Sequence, residues 1–167
     1  MPIVSFSELP DSARVWVFAS DRELSGAVAD SLLAAVDQFL AQWKAHGVPL
    51  KCARDWRDDR FLAVGVDVNE ENASGCSIDG LFRTLQQVQR TIGAQLVGGG
   101  RVFVRGERGV ETMSREELVQ RIANGGVNEQ TPVFDTSLTD AHSWRESFEL
   151  PAGEAWTAKM FGDASRG

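Results

Sequence analysis

The stretch LKCARDWRDDRFLAVGVDV, residues 50–68, decides how the rest of the chain is read. Two runs rich in β-branched and aromatic residues, about 50–56 and 60–68, flank the polar turn Arg57-Asp58-Asp59, which predicts a β-hairpin. Upstream, ARVWVFA at 13–19 follows the turn signal Pro10-Asp11-Ser12 and predicts a first strand. Ser20-Asp21-Arg22-Glu23 then matches a capping box, in which serine and glutamate side chains satisfy the free backbone donors of a helix start. Val28, Leu32, Val36, Phe39, Leu40 and Trp43 continue at helical spacing, and Gly47 and Pro49 supply the stop. Downstream, after the loop Asn69-Glu70-Glu71-Asn72, Ile78, Leu81, Phe82, Leu85, Val88 and Ile92 share one helical face that ends at Gly93. RVFVR at 101–105 supplies a fourth strand.

The order strand, helix, strand, strand, helix, strand predicts an α+β, ferredoxin-like split βαββαβ sheet with both helices on one face. Residues 1–106 are the expected core. Residues 107–167 are expected to form a C-terminal β/α extension that packs on it as part of one compact unit. Strand alternation places Val15, Val17, Ala19, Leu62, Val64, Val66, Val102 and Val104 against the helices. The other face would carry Trp16, Phe18, Phe61, Ala63, Gly65, Phe103 and Arg105. Such an aromatic face seldom stays bare, so it is either covered or a binding surface.

The extension offers a cover. Arg108-Gly109 predicts a turn into a strand near 110–113, and Ser114-Arg115-Glu116-Glu117 is a second capping box, leading a helix to about Ala123. Asn124-Gly125-Gly126 ends it. Thr131-Pro132-Val133-Phe134 reads as a strand and 139–148 as a short helix. The terminal AWTAKMF brings Trp156, Met160 and Phe161, which are expected to lie on the aromatic face. A homodimer sharing that face is the competing arrangement.

Composition narrows the partners. The 167 residues are 43% hydrophobic and 25% charged, enough for a sizeable core. A formal charge of −7 and the lack of any basic run disfavour nucleic acid. No basic start leads into an apolar run, and no segment has the length of a membrane span, so a cytoplasmic protein off the membrane is expected. Cys52 and Cys76 are the two cysteines; without CxxC spacing or a histidine cluster they indicate neither a disulfide framework nor a metal site. No cofactor is implied.

The stretch with most chemical content is ASGCSIDG at 73–80. With Ser74 or Ser77 as N-cap, the amides around 76–80 would point outward at the positive end of the second helix, which makes Ser74, Gly75, Cys76, Ser77 and Asp79 the candidate ligand-binding residues. That is a place for an anion or a partner's carboxylate. The same field would favour a Cys76 thiolate, the reactive form of cysteine, and so a nucleophile or redox sensor. Asp79 works against this by placing a negative charge nearby. A cysteine enzyme also needs a base, and the chain holds only His46 and His142. The preferred reading is therefore a capped helix start with a small buried thiol.

Three other patterns read as surface. Asp67-Val68-Asn69-Glu70-Glu71 resembles the start of a calcium loop, but its sixth position is Asn72 and its twelfth is Ile78. Asp55, Asp58 and Asp59 alternate with Arg54, Arg57 and Arg60 as exposed charge pairs. The aromatic face would suit stacked bases of single-stranded RNA, but RFLAVGVDV lacks the basic-glycine-aromatic signature of that recognition module.

ARVWV at 13–17, SGCSIDG at 74–80, TPVF at 131–134 and Trp156 together resemble an uncharacterised bacterial family that often carries the label "ABC transporter ATPase". The resemblance spans most of the chain and implies no defined activity. A P-loop needs Gly-Lys-Ser/Thr, whereas Lys44, Lys51 and Lys159 never follow glycine and the glycines 98–100 lead into Arg101, so ATPase chemistry of that type is rejected. REELVQRIANGGVNEQTPVF is locally similar to small GYF-like modules, in which a helix and a G-x-x-x-x-x-T-x-V strand recur. The expectation is a non-enzymatic interaction or regulatory domain that binds a protein or small ligand. A thiol enzyme or sensor at Cys76 is the alternative.

Overall fold

The hairpin read from residues 50–68 forms. In a computed structural model describing residues 4–45, 47–67, 75–96 and 100–161, with backbone alone at 45 and 75–77, β4 (Cys52–Arg57) and β5 (Phe61–Val66) pair antiparallel from Cys52↔Val66 to Arg57↔Phe61. Asp58 and Asp59 make the turn with φ of 56° and 54°, a left-handed conformation that aspartate tolerates better than most residues. The Arg60 amide closes the turn by donating to the Arg57 carbonyl at 3.1 Å.

The chain divides into two compact units, residues 1–98 with 137–145 and residues 99–136 with 146–167. The first is a three-stranded antiparallel sheet in the order β1-β5-β4, where β1 is Arg14–Ala19. Helices α1 (Gly26–Ala41) and α2 (Gly75–Ile92) pack on it, and the two-residue strands β2 (Lys44–Ala45) and β3 (Val48–Pro49) form a small hairpin after α1. The apolar stripes do the packing. Ala29, Leu32, Val36 and Leu40 of α1 meet Leu81, Leu85 and Val88 of α2 in one buried cluster with Leu62, Val64 and Val66 of β5. Gly93, at φ 72°, ends α2 where the sequence places its stop.

The α1 entrance differs from the reading. The helix begins at Gly26 after Ser25, not behind Ser20. Ser20 is fully buried; its amide donates to Arg60 O at 2.8 Å and its hydroxyl accepts from the Arg22 amide at 3.2 Å. Leu24 is buried, and its amide donates to Asp59 O at 2.7 Å. These long-range bonds hold 20–24 in a non-helical path that a local capping pattern cannot foresee.

The second unit is a four-stranded antiparallel sheet, β7-β6-β8-β9, built from β6 (Val102–Gly106), β7 (Gly109–Met113), β8 (Pro132–Phe134) and β9 (Glu149–Pro151). Helix α3 (Arg115–Ala123) starts on the expected capping box: the Glu117 amide donates to Ser114 Oγ at 3.1 Å and the Ser114 amide to Glu117 Oε1 at 3.4 Å. Val102, Val104, Met113, Leu118, Val127 and Val133 form this unit's own core. Trp156, Met160 and Phe161 pack on that core and not, as the sequence predicts, on the aromatic face of the first sheet.

The fold is α+β, but the ferredoxin-like sheet is not completed among the described residues: the first three strands take the split order, and the fourth, β6, pairs elsewhere. A strand has two hydrogen-bonding edges, and those of β6 are taken by β7 and β8. The two-residue turn Glu107-Arg108 lets β6 and β7 close locally, at lower entropic cost than a distant pairing. At the β1 edge stands the segment before α4 (Ala141–Glu146), with the Val15 amide donating to Thr139 O at 3.0 Å and an Arg14↔Asp140 bridge. Accordingly the division expected at 106/107 falls at 98/99, and residues 137–145 return to the first unit.

Candidate functional site

The aromatic face was the first site read from the sequence, and register rearranges it. Directly opposed residues in antiparallel strands share a face. Trp16 opposes Val64 and Phe18 opposes Leu62, so both aromatics face the helices, one position out of phase with the sequence reading. Phe18 meets Phe82 edge-on at 5.6 Å, and Trp16 meets Trp43 at 6.2 Å. Val15, Val17 and Ala19 lie opposite Gly65, Ala63 and Phe61 on the far side. The reason is composition: with apolar residues at every position of 15–19, alternation carries no phase information.

The far face is closed within its own unit. A Cβ at Gly65 would stand 2.6 Å from Leu9 Cδ1 and 3.2 Å from Phe6 Cε2, so the N-terminal turn Phe6–Glu8 and Leu9 lie directly on the strand. Trp144, fully buried, donates from Nε1 to Asp55 Oδ2 at 2.8 Å, under the Arg57 guanidinium at 4.4 Å. Arg145 fastens the turn by donating to Phe6 O at 2.8 Å, Leu9 O at 2.7 Å and Asp11 Oδ1 at 2.9 Å. Phe103 and Arg105 belong to the second sheet; Phe103 is buried, and Arg105 makes a bidentate pair with Glu149 at 2.6 and 3.0 Å. Of the aromatic set, Phe18, Phe61 and Phe103 are buried and Trp16 is half-buried. Sequence reasoning missed Trp144 and Arg145 because their partners lie far away in the chain.

The second site, at 73–80, is described only in part. The α2 backbone starts at Gly75, so Ser77 is inside the helix and is not its N-cap. Ser74 and the side chains of Gly75, Cys76 and Ser77 lie outside the described residues, as do His46 and most of the calcium-like loop after Asp67. Asp79 is exposed, within α2. The other thiol is described. Cys52 Sγ is buried and donates to Leu40 O at 3.6 Å, and burial pushes its pKa up to about 12, so it is inert at neutral pH. Arg54, bonded to Asp37 at 2.8 and 2.9 Å, is held protonated still more firmly than usual by that bond. His142 lies 3.6 Å from Asp11 at the surface.

The concavity the sequence reading did not single out lies between α1 and α2. It is an open groove of about 400 Å³. Ser31, Ala35, Gln38, Phe39 and Gln42 line it from α1, and Thr84, Gln87, Val88, Thr91 and Ile92 from α2. Spacings of three and four along each helix put these residues on one side, next to the core stripe. Phe39, Val88 and Ile92 also pack on the core, which fixes the floor. The rim of three glutamine amides and three hydroxyls offers both donors and acceptors, and no charged residue takes part. In a chain that is one-quarter charged, ten uncharged lining positions set this surface apart. The signal was present in sequence as uncharged residues 31, 35, 38 and 42 and 84, 87 and 91, but nothing local shows that the two rows meet. A second hollow of about 460 Å³, lined by Ile122, Gly125, Val127, Asn128, Glu129, Gln130 and Phe161, lies in the second unit. Its loop is closed by its own bonds, Asn128 N to Thr131 Oγ1 at 3.0 Å and Gln130 N to Asn128 Oδ1 at 2.8 Å.

Among the described residues, no cluster of three His, Cys, Asp or Glu side chains could hold a metal ion, and no helix is long and apolar enough to cross a membrane. Comparison with protein families, with curated proteins and with solved structures finds no match to the chain.

Proposed function

We propose that this protein is a non-enzymatic binding module, working in a cytoplasmic setting, that holds an uncharged, amphipathic ligand in the groove between α1 and α2. The observation that carries the reading is the lining: a fixed apolar floor of Phe39, Val88 and Ile92 beneath a rim of amides and hydroxyls without charge. Its volume is within the range of roughly 300–1,000 Å³ typical of small-molecule sites. Uncharged amides bind by paired donors and acceptors at little desolvation cost, whereas a charged ligand would leave its solvation shell without a countercharge. The order β1, α1, β4, β5 and α2 supports a ferredoxin-like kinship for the first unit alone. The family resemblance, read without its ATPase label, is compatible with a binding role.

An NMR titration of the whole, isotope-labelled chain with a set of small uncharged aromatic amides tests the proposal. Saturable shifts centred on Gln38, Phe39, Gln87 and Val88 are expected, and Gln87→Arg should weaken them at least tenfold while leaving the thermal midpoint unchanged. Shifts that miss the groove, or that survive Gln87→Arg, would overturn the reading.

A further inference from the structure

No further inference is drawn: the strongest candidate, the outer edge of β7 in the sheet of the second unit, where Val110 and Thr112 alternate away from the β6 pairing, is a strand edge without a partner strand among the described residues, and nothing in the structure shows what covers it.

Discussion

Cys52 shows how one burial event sets a residue's chemistry. An unfolded thiol ionises near 9.0, while the folded one is pushed up to about 12 by desolvation. Between those values the folded chain keeps a proton that the unfolded chain loses. Stability from this group is therefore complete below pH 9 and declines as pH rises toward 12, by up to about 1.4 kcal/mol per pH unit. The chain has no tyrosine to titrate across the same window. Urea midpoints measured from pH 8 to 11 should fall more steeply for the native protein than for Cys52→Ala; equal slopes would refute the assignment. Arg145 makes the complementary case. Its three bonds hold the turn at Phe6–Leu9 over the sheet, and Arg145→Ala takes a charged donor from the Leu9 carbonyl and from the Phe6 carbonyl, which keeps its bond from the Leu9 amide at 3.1 Å, so a loss of about 2 kcal/mol is expected in urea unfolding. Arg145→Lys should recover only part of it, because an ammonium cannot reproduce the guanidinium fork.

The serine–glutamate capping pattern stands at 20–23 and at 114–117, and of these two only the second starts a helix. Ser114-Arg115-Glu116-Glu117 forms the reciprocal cap on α3, with both bonds made at the surface. Ser114→Ala should cost about 1 kcal/mol, read as faster amide exchange in the first turn of α3. If exchange there is unchanged, the cap contributes nothing. Ser20-Asp21-Arg22-Glu23 has the same serine and glutamate three residues apart, but buried Leu24 and the amide bonds of Ser20 and Leu24 to the β4–β5 turn set its path. A capping box is a local device, decisive only where no tertiary bond competes for the same amides. The helices were legible for the converse reason. The apolar rows of α1 and α2 repeat over three or more turns and state their inward face, except at Val28, which the spacing counts in the row and which is 39% exposed, with Ala29 buried in its place. Strand β1 has no such contrast, so its phase was fixed by the register against β5.

At the level of the whole molecule, the first unit is discontinuous in sequence. Residues 137–145 bring Thr139 to the edge of β1, Trp144 to Asp55 and Arg145 to the N-terminal turn. A fragment of residues 1–106, cut at the boundary the sequence suggests, lacks all three. It also deprives β6 of both its partners, β7 and β8. We expect that fragment to lose dispersed amide resonances and a cooperative thermal transition, with the full chain as control. A cooperative, well-dispersed fragment would show that the returning segment is dispensable. Sequence separation explains why this feature could not be read: Trp144 and Asp55 are 89 residues apart, and neither carries a local pattern that names the other.

The sequence by itself determined the α+β class, the hairpin at 50–68, both long helices with their buried stripes, and the cap of α3. Each follows from periodicity or from bonds spanning a few residues, which short-range physics selects. Tertiary structure alone decided which sheet β6 joined, which way Trp16 and Phe18 face, and that uncharged rows on two helices meet as one groove. Those outcomes depend on competition among edges, register and distant partners, and a strand with two apolar faces and two free edges does not choose among them until the rest of the chain has folded.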